Sequence, residues 1–189
     1  MSHPATKSEI VSSEEELLIL VDGDDREVGF LEKSACHDGA GVLHRAFSLF
    51  VLNSAGEVLI QQRASGKRLW PDYWSNSCCS HPRRGETMHE AARRRLHQEL
   101  GMTAPLEFLY KFEYQADYRG LGAEHELCSV YVGHSDATPV INTTEIGDWR
   151  WIARDDLKRE LDTRPEQFTP WFLMEWERIL RDHPAALHA

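Results

Sequence analysis

A chain of 189 residues with a formal net charge of −10 has the size of one ordinary domain, and its charge has the wrong sign for a nucleic-acid or anionic-membrane partner. Four cysteines do not make a disulfide framework at this length. No apolar run approaches a membrane span, and the N-terminus lacks the basic and apolar blocks of a signal peptide. A soluble, cytoplasmic protein is expected, and an anionic substrate would need local cations or a bound metal to overcome the overall field.

Residues 1–13 are polar and without period, and read as a loose tail before a single domain over 14–182. Glu16–Val21 is a strand, Asp22–Asp25 a turn and Glu27–Lys33 a returning strand, followed by a loop from Cys36 to Gly41. Val42–Leu52 and Glu57–Arg63 form a hairpin about Asn53-Ser54-Ala55-Gly56. Ala64–Trp74 is irregular. Trp70 to Pro82 leads through Cys78-Cys79-Ser80-His81 into a helix from about Thr87 to Leu100, with a Thr87/Glu90 capping box and a Gly101 stop. Leu109–Tyr118, Glu126–Val132 and Trp149–Ile152 read as strands. Arg154–Leu161 and Pro170–Arg181 read as helices, the second capped by Thr169, with a tail over 183–189. Strands and helices mix without strict alternation, which predicts an α+β domain, a mixed sheet flanked by helices, and no Rossmann fold. No glycine-rich phosphate loop is present.

Residues two apart in an extended segment share a face, so Cys79 points with His81 and Cys78 points away. A thiol beside an imidazole suits a nucleophile, an acid–base group or a metal ligand. His37, His44 and His81 with Glu124 and Glu126 offer three imidazoles and two carboxylates, a donor set for a six-coordinate Mn²⁺, Mg²⁺ or Zn²⁺. Each alone also fits an ordinary role: a solvated loop histidine for His37 and His81, a hydrogen-bonded core histidine for His44. His3, His89, His97, His134, His183 and His188 are read as surface residues. Lys33, Arg63 and Lys67 are cations able to clamp a diphosphate if they face the helix. Arg93-Arg94-Arg95 reads mostly as a solvated face, with Arg95 and Glu99 a surface pair at i,i+4. Trp70 and Trp74 suit core packing. Trp171, just inside a helix start, suits a pocket wall, where an indole face stabilises a cation without attacking it.

The helix resembles the Nudix signature. Glu86, Arg94, Leu96, Glu99 and Gly101 fall in register, while Ser80, Arg95 and Gln98 depart from it. Glu99 is the one acidic position left of three, too few for an independent Mg²⁺ site but enough with substrate phosphates. The whole set is similar to the type I isopentenyl-diphosphate Δ-isomerases, which are Nudix-fold proteins that do not hydrolyse. The likeness spans roughly Leu17 to Trp176 and rests on Leu31-Glu32-Lys33, Leu43-His44-Arg45-Ala46-Phe47-Ser48, Gln62-Arg63-Ala64 with Lys67, Trp70-Pro71, Trp74 through Cys79-Ser80-His81-Pro82, Glu124-His125-Glu126 and Thr169-Pro170-Trp171. The resemblance implies a 1,3 proton shift through a tertiary carbocation. It implies Cys79 and Glu126 as the two proton-transfer groups, with Tyr114 beside Glu126 and Trp171 shielding the cation. It implies a divalent metal on His37, His44, His81, Glu124 and Glu126, Mg²⁺ held through the diphosphate by Glu99, and Lys33, Arg63, Lys67 and Arg95 around the diphosphate. A small-molecule prenyl diphosphate partner, a monomer or weak homodimer, and no flavin follow. The alternatives are a Nudix diphosphohydrolase, against which Arg95 and Gln98 stand, and a non-catalytic diphosphate- or metal-binding domain in which Cys79 would be dispensable. A flavin-dependent isomerase of the TIM-barrel type needs a longer chain, typically about 250 residues.

Overall fold

The computed structural model describes residues 6–188, and the strand His44–Leu52 (β3) runs through the middle of its sheet. Its residues alternate between two cores, as the period of two requires. Ala46, Phe50 and Leu52 face one cluster, while Phe47, Leu49 and Val51 face the other. Both faces of β3 are buried, which explains its nearly continuous apolar run.

Around β3 the chain lays down Leu17–Val21 (β1), Glu27–Glu32 (β2) and a four-residue helix Lys33–Cys36 (α1), where the sequence had suggested the end of a strand. After β3 come Val58–Arg63 (β4), Trp74–Ser75 (β5), Cys78–Ser80 (β6) and the helix Met88–Leu100 (α2). Leu106–Asp117 (β7), Ala123–His134 (β8), Ile146–Ile152 (β9) and the helices Arg154–Thr163 (α3) and Pro170–Asp182 (α4) complete the order. The sheet is mixed. β3 pairs with β8 in parallel along the whole of β3, and every other pairing between these strands is antiparallel. The β3–β4 hairpin pairs only at its base, at Val51–Leu59 and Leu52–Val58. Beyond that the strands part. β6 takes the place beside β3 at Phe47–Leu49, and β4 turns to pair with β9 and β5.

The helix α2 packs Ala91, Ala92, Leu96 and Leu100 on one face of the sheet. Leu157 of α3 and Trp171, Phe172, Trp176 and Ile179 of α4 pack on the other. The capping box forms at Thr87 and Glu90, and Gly101 ends α2 in the left-handed region at φ 64°. Thr169 stands at the N-cap of α4 but does not cap it. Its hydroxyl lies 2.9 Å from Ser75 Oγ, joining the helix start to β5.

Residues 6–13 differ from the loose tail expected. The Lys7 amide donates to the Ile141 carbonyl (2.8 Å), the Asn142 side chain donates to the Glu9 carbonyl (2.7 Å), and Val11 is buried. The C-terminal residues differ similarly: Leu187, in a short 3₁₀ turn, is buried in the α4 core. Residues 1–5, with His3, and Ala189 lie outside the described residues. Among the described residues no helix is long and apolar enough to cross a membrane.

Candidate active site

The cleft opens at the end of the sheet where β3 begins. His44 is the first residue of β3, and its parallel partner across the ladder is Glu126 of β8. Glu124 lies two residues earlier on the same face. His81 follows β6. His37 follows α1 and is held against β8 by the Ala123 amide, which donates to its carbonyl at 3.0 Å. Gly122 permits this contact, since a Cβ there would sit 2.4 Å from the His37 oxygen.

These side chains converge. One ligand atom from each of His37, His44, His81 and Glu124 lies within 4.8 Å of all the others. His44 Nε2 and His81 Nε2 are 3.2 Å apart, Glu126 Oε1 is 3.2 Å from His81 Nε2, and Glu124 Oε2 is 2.9 Å from His37 Nε2. His37 Nε2 and Glu124 Oε2 are buried with no aligned hydrogen bond. His44 Nδ1 donates to the Val42 carbonyl at 2.7 Å, which leaves Nε2 its lone pair. Burial, reinforced by the neighbouring imidazoles, holds His44 down to about 4 and His81 to about 3, so both are neutral near pH 7. Buried imidazoles and carboxylates drawn this close, with His37 Nε2 and Glu124 Oε2 left without a hydrogen-bond partner, make a donor set that fits a divalent metal. Glu99 is not part of this group.

Cys79 and Glu126 stand on strands that flank β3 on opposite sides, and both line the cleft. Cys78 has no exposed surface and packs against α2, so the two thiols do face opposite ways. Burial pushes the Cys79 thiol up to about 12, despite Arg63 Nη1 at 4.0 Å, so it holds its proton. Burial, then the Glu124 carboxylate, raises Glu126 to about 7. Tyr114 of β7 is opposite Glu126 in the β7–β8 ladder, and its hydroxyl donates to Glu126 Oε2 at 2.7 Å. Trp171 reaches the cleft from the first turn of α4. Its indole N–H donates to Ser75 Oγ (3.1 Å) and Asn76 Oδ1 (3.2 Å), which fixes the ring plane.

The cations lie together and none is solvated freely. Lys33 donates to Ser12 Oγ (3.1 Å) and Glu14 (2.8 Å). Arg63 donates to the carbonyls of Trp70 (3.1 Å) and Leu69 (3.0 Å), and its guanidinium lies over the Trp171 ring. Lys67 pairs with Glu145. Arg95, read as part of a solvated face, is only 2% exposed. It bonds Glu99 (2.6 Å), Glu145 (3.2 Å) and the Val11 carbonyl (2.6 Å), because its face of α2 is turned toward the sheet and covered by the N-terminal segment. The Arg95–Glu99 pair is therefore buried, not a surface pair. Glu145 was missed in the sequence, as were Ser12 and Glu14, which also line the cleft. Burial raises the pKa of Glu145, but Lys67 and Arg95 outweigh it and hold the carboxyl below the usual range. A lone acid in a loop carries no sequence signal that separates it from a solvated one.

Residues 42–172 match the NUDIX domain model. A crystal structure from Deinococcus radiodurans shares the architecture at a TM-score of 0.64 and 27% identity, covering 79% of this chain and 90% of that one. A MutT protein from Methanosarcina mazei does so at 0.62 and 17% identity, over 74% and 94% of the two chains, which speaks to the fold alone. The fold class is thus Nudix. Isopentenyl-diphosphate Delta-isomerase 1 of Photorhabdus laumondii is 46% identical over 170 residues, covering 89% of this chain and 97% of that protein. Isopentenyl-diphosphate Delta-isomerase of Serratia proteamaculans is 45% identical over 159 residues, covering 84% and 88%. The chain belongs to the isopentenyl-diphosphate Delta-isomerase family.

Proposed function

We propose that the protein converts isopentenyl diphosphate to dimethylallyl diphosphate, with Cys79 and Glu126 as its two proton-transfer groups. The observation that carries this reading is their placement on strands either side of β3, both lining one cleft that Lys33, Arg63, Lys67 and Arg95 also line. One of the pair gives a proton to C4 of the alkene, leaving a tertiary cation at C3. The other takes a proton from C2, and the double bond moves from C3–C4 to C2–C3. Family membership and a thiol held protonated support the isomerase over hydrolysis, as does the Arg95–Glu99 pair where a hydrolase helix carries more carboxylates.

An unactivated alkene is a poor base, so the acid must be positioned and water kept away. Tyr114 holds Glu126 by its hydroxyl, and the indole of Trp171 presents a π face and no nucleophile to the cation. Lys33, Arg63, Lys67 and Arg95 bind the diphosphate, which anchors the reacting carbons from a distance. Diphosphate oxygens would replace Glu14 and Glu145 as partners of these cations. His37, His44, His81, Glu124 and Glu126 would hold one divalent ion, of Mn²⁺, Mg²⁺ or Zn²⁺, and Glu99 would share Mg²⁺ with the diphosphate. Bound cations supply positive charge that fixes these carboxylates and offsets substrate charge. The test is NMR of isopentenyl diphosphate with the protein and Mg²⁺ in heavy water. Deuterium entering dimethylallyl diphosphate is the expected result. Phosphate release without isomerisation would establish the hydrolase instead.

A further inference from the structure

We propose that Leu69 sets the size limit on the hydrocarbon half of the substrate. The inference rests on the isomerase reading above. Leu69 is the only aliphatic side chain among the described residues that line the cleft. It belongs to the buried cluster that also holds Tyr114 and Trp171 and against which Cys79 packs, which is the apolar side of the cleft. The other walls there are committed by polar contacts: Tyr114 to Glu126, Trp171 to Ser75 and Asn76, Cys79 to the proton transfer itself. Leu69 has no such tie and contributes shape alone.

Its position is fixed from several sides. The Leu69 carbonyl accepts from Arg63 Nη2 at 3.0 Å, and the next carbonyl, of Trp70, accepts from Arg63 Nε at 3.1 Å. Trp70 sits at φ 47°, a left-handed conformation that a bulky residue adopts only when its surroundings impose it. Trp70 is locked by edge contact with Trp171 (5.1 Å between centroids) and by Tyr118 (5.0 Å). On its far side Leu69 Cδ2 lies so near the β7–β8 turn that a Cβ at Gly122 would be 3.2 Å from it. The backbone that carries the isobutyl group is therefore held in place beside the cleft. A substrate carrying ethyl in place of methyl at C3 would press on it, or be displaced from the line between Cys79 and Glu126.

The test compares kcat/KM for isopentenyl diphosphate and for this C3-ethyl homologue in the wild type, Leu69→Ala, Leu69→Ile and, as a control on the exposed turn, Leu121→Ala. One methylene in an apolar pocket is discriminated by about 10–200-fold, so the wild type should prefer the smaller substrate by that order. Leu69→Ala should cut the preference about tenfold or more, by gain on the homologue, while Leu69→Ile and Leu121→Ala keep it. Inhibition constants of the two saturated diphosphates give the same ratio without turnover, so they report even on a slow variant. An active wild type with an unchanged ratio in Leu69→Ala, by both measures, overturns the proposal alone. A wild type that binds isopentenyl diphosphate without isomerising it overturns the reading beneath it, and the proposal with it.

Discussion

Glu175 sits one turn along α4 from Trp171 and has no exposed surface. The Cys128 thiol donates to its Oε1 at 3.5 Å, and its Oε2 has no partner. Burial pushes its carboxyl up to about 8, and the nearby Ser48 and Cys128, which favour ionisation, offset only part of that. In the unfolded chain a glutamate titrates near 4.3, at roughly its ordinary value. The folded protein thus binds the proton more tightly. Its contribution to stability is complete below about pH 4.3 and declines by about 1.4 kcal/mol per pH unit until about pH 8. Glu175→Gln stays neutral in both states and lacks this slope. Denaturant melts from pH 5 to 8 should show the variant gaining on the parent, and parallel profiles would refute a neutral Glu175. In the cleft, Glu126→Gln keeps the shape of the side chain but cannot carry a proton. It should lower kcat at least about a hundredfold while binding of a saturated diphosphate persists. Metal content measured alongside separates loss of the proton shuttle from loss of the ligand. For the thiols, an epoxide analogue of isopentenyl diphosphate should alkylate Cys79 and not Cys78, because diphosphate anchoring raises its effective concentration on the cleft face only. Peptide mapping that finds the adduct on Cys78 would overturn the assignment.

At the scale of elements, α2 was legible because its signals are local. Thr87 Oγ1 accepts from the Glu90 amide at 3.3 Å, and Glu90 Oε2 accepts from the Thr87 amide at 2.9 Å, both within one turn of sequence. Thr87→Ala should cost about 1 kcal/mol. Gly101→Ala should cost at least as much, about 1–2 kcal/mol for the left-handed backbone, plus the push of a new Cβ at 2.9 Å from Val140 Cβ. Thermal melts check both, and a neutral Gly101→Ala would mean that the helix stop is not strained. The opposed faces of Cys78 and Cys79 were legible for a similar reason, since strand alternation is local. The environment of Arg95 was not. Besides Glu99, one turn away on the same helix, its partners are Glu145, far along the chain, and the carbonyl of Val11, a backbone atom in a segment whose composition is that of a tail. Backbone acceptors leave no trace in a residue pattern. The parting of β3 and β4, which lets β6 bring Cys79 beside Ser48, is equally invisible to a hairpin rule that reads only the turn.

For the molecule as a whole, the ladder that matters most is the parallel one between β3 and β8, nine residue pairs from His44–Glu126 to Leu52–His134. It joins segments separated by four strands and by α2, and it begins at His44 and Glu126, two of the proposed metal ligands. The proposed ion site therefore has no local precursor: no single hairpin or helix holds enough of its donors to capture a cation. Closing so long a loop is slow, and the ordering cost falls before the contacts reward it. Cation capture then belongs late on the folding route, after the rate-limiting step. In stopped-flow measurements, saturating Mn²⁺ should leave the refolding rate in place and slow unfolding, putting its whole effect on one arm of the chevron. Faster refolding with Mn²⁺ would mean that some of these ligands gather before the ladder does. On this ordering, a nascent chain can bind the metal only once β8 has left the ribosome, so a cell starved of the ion would still fold the protein but would hold it less long.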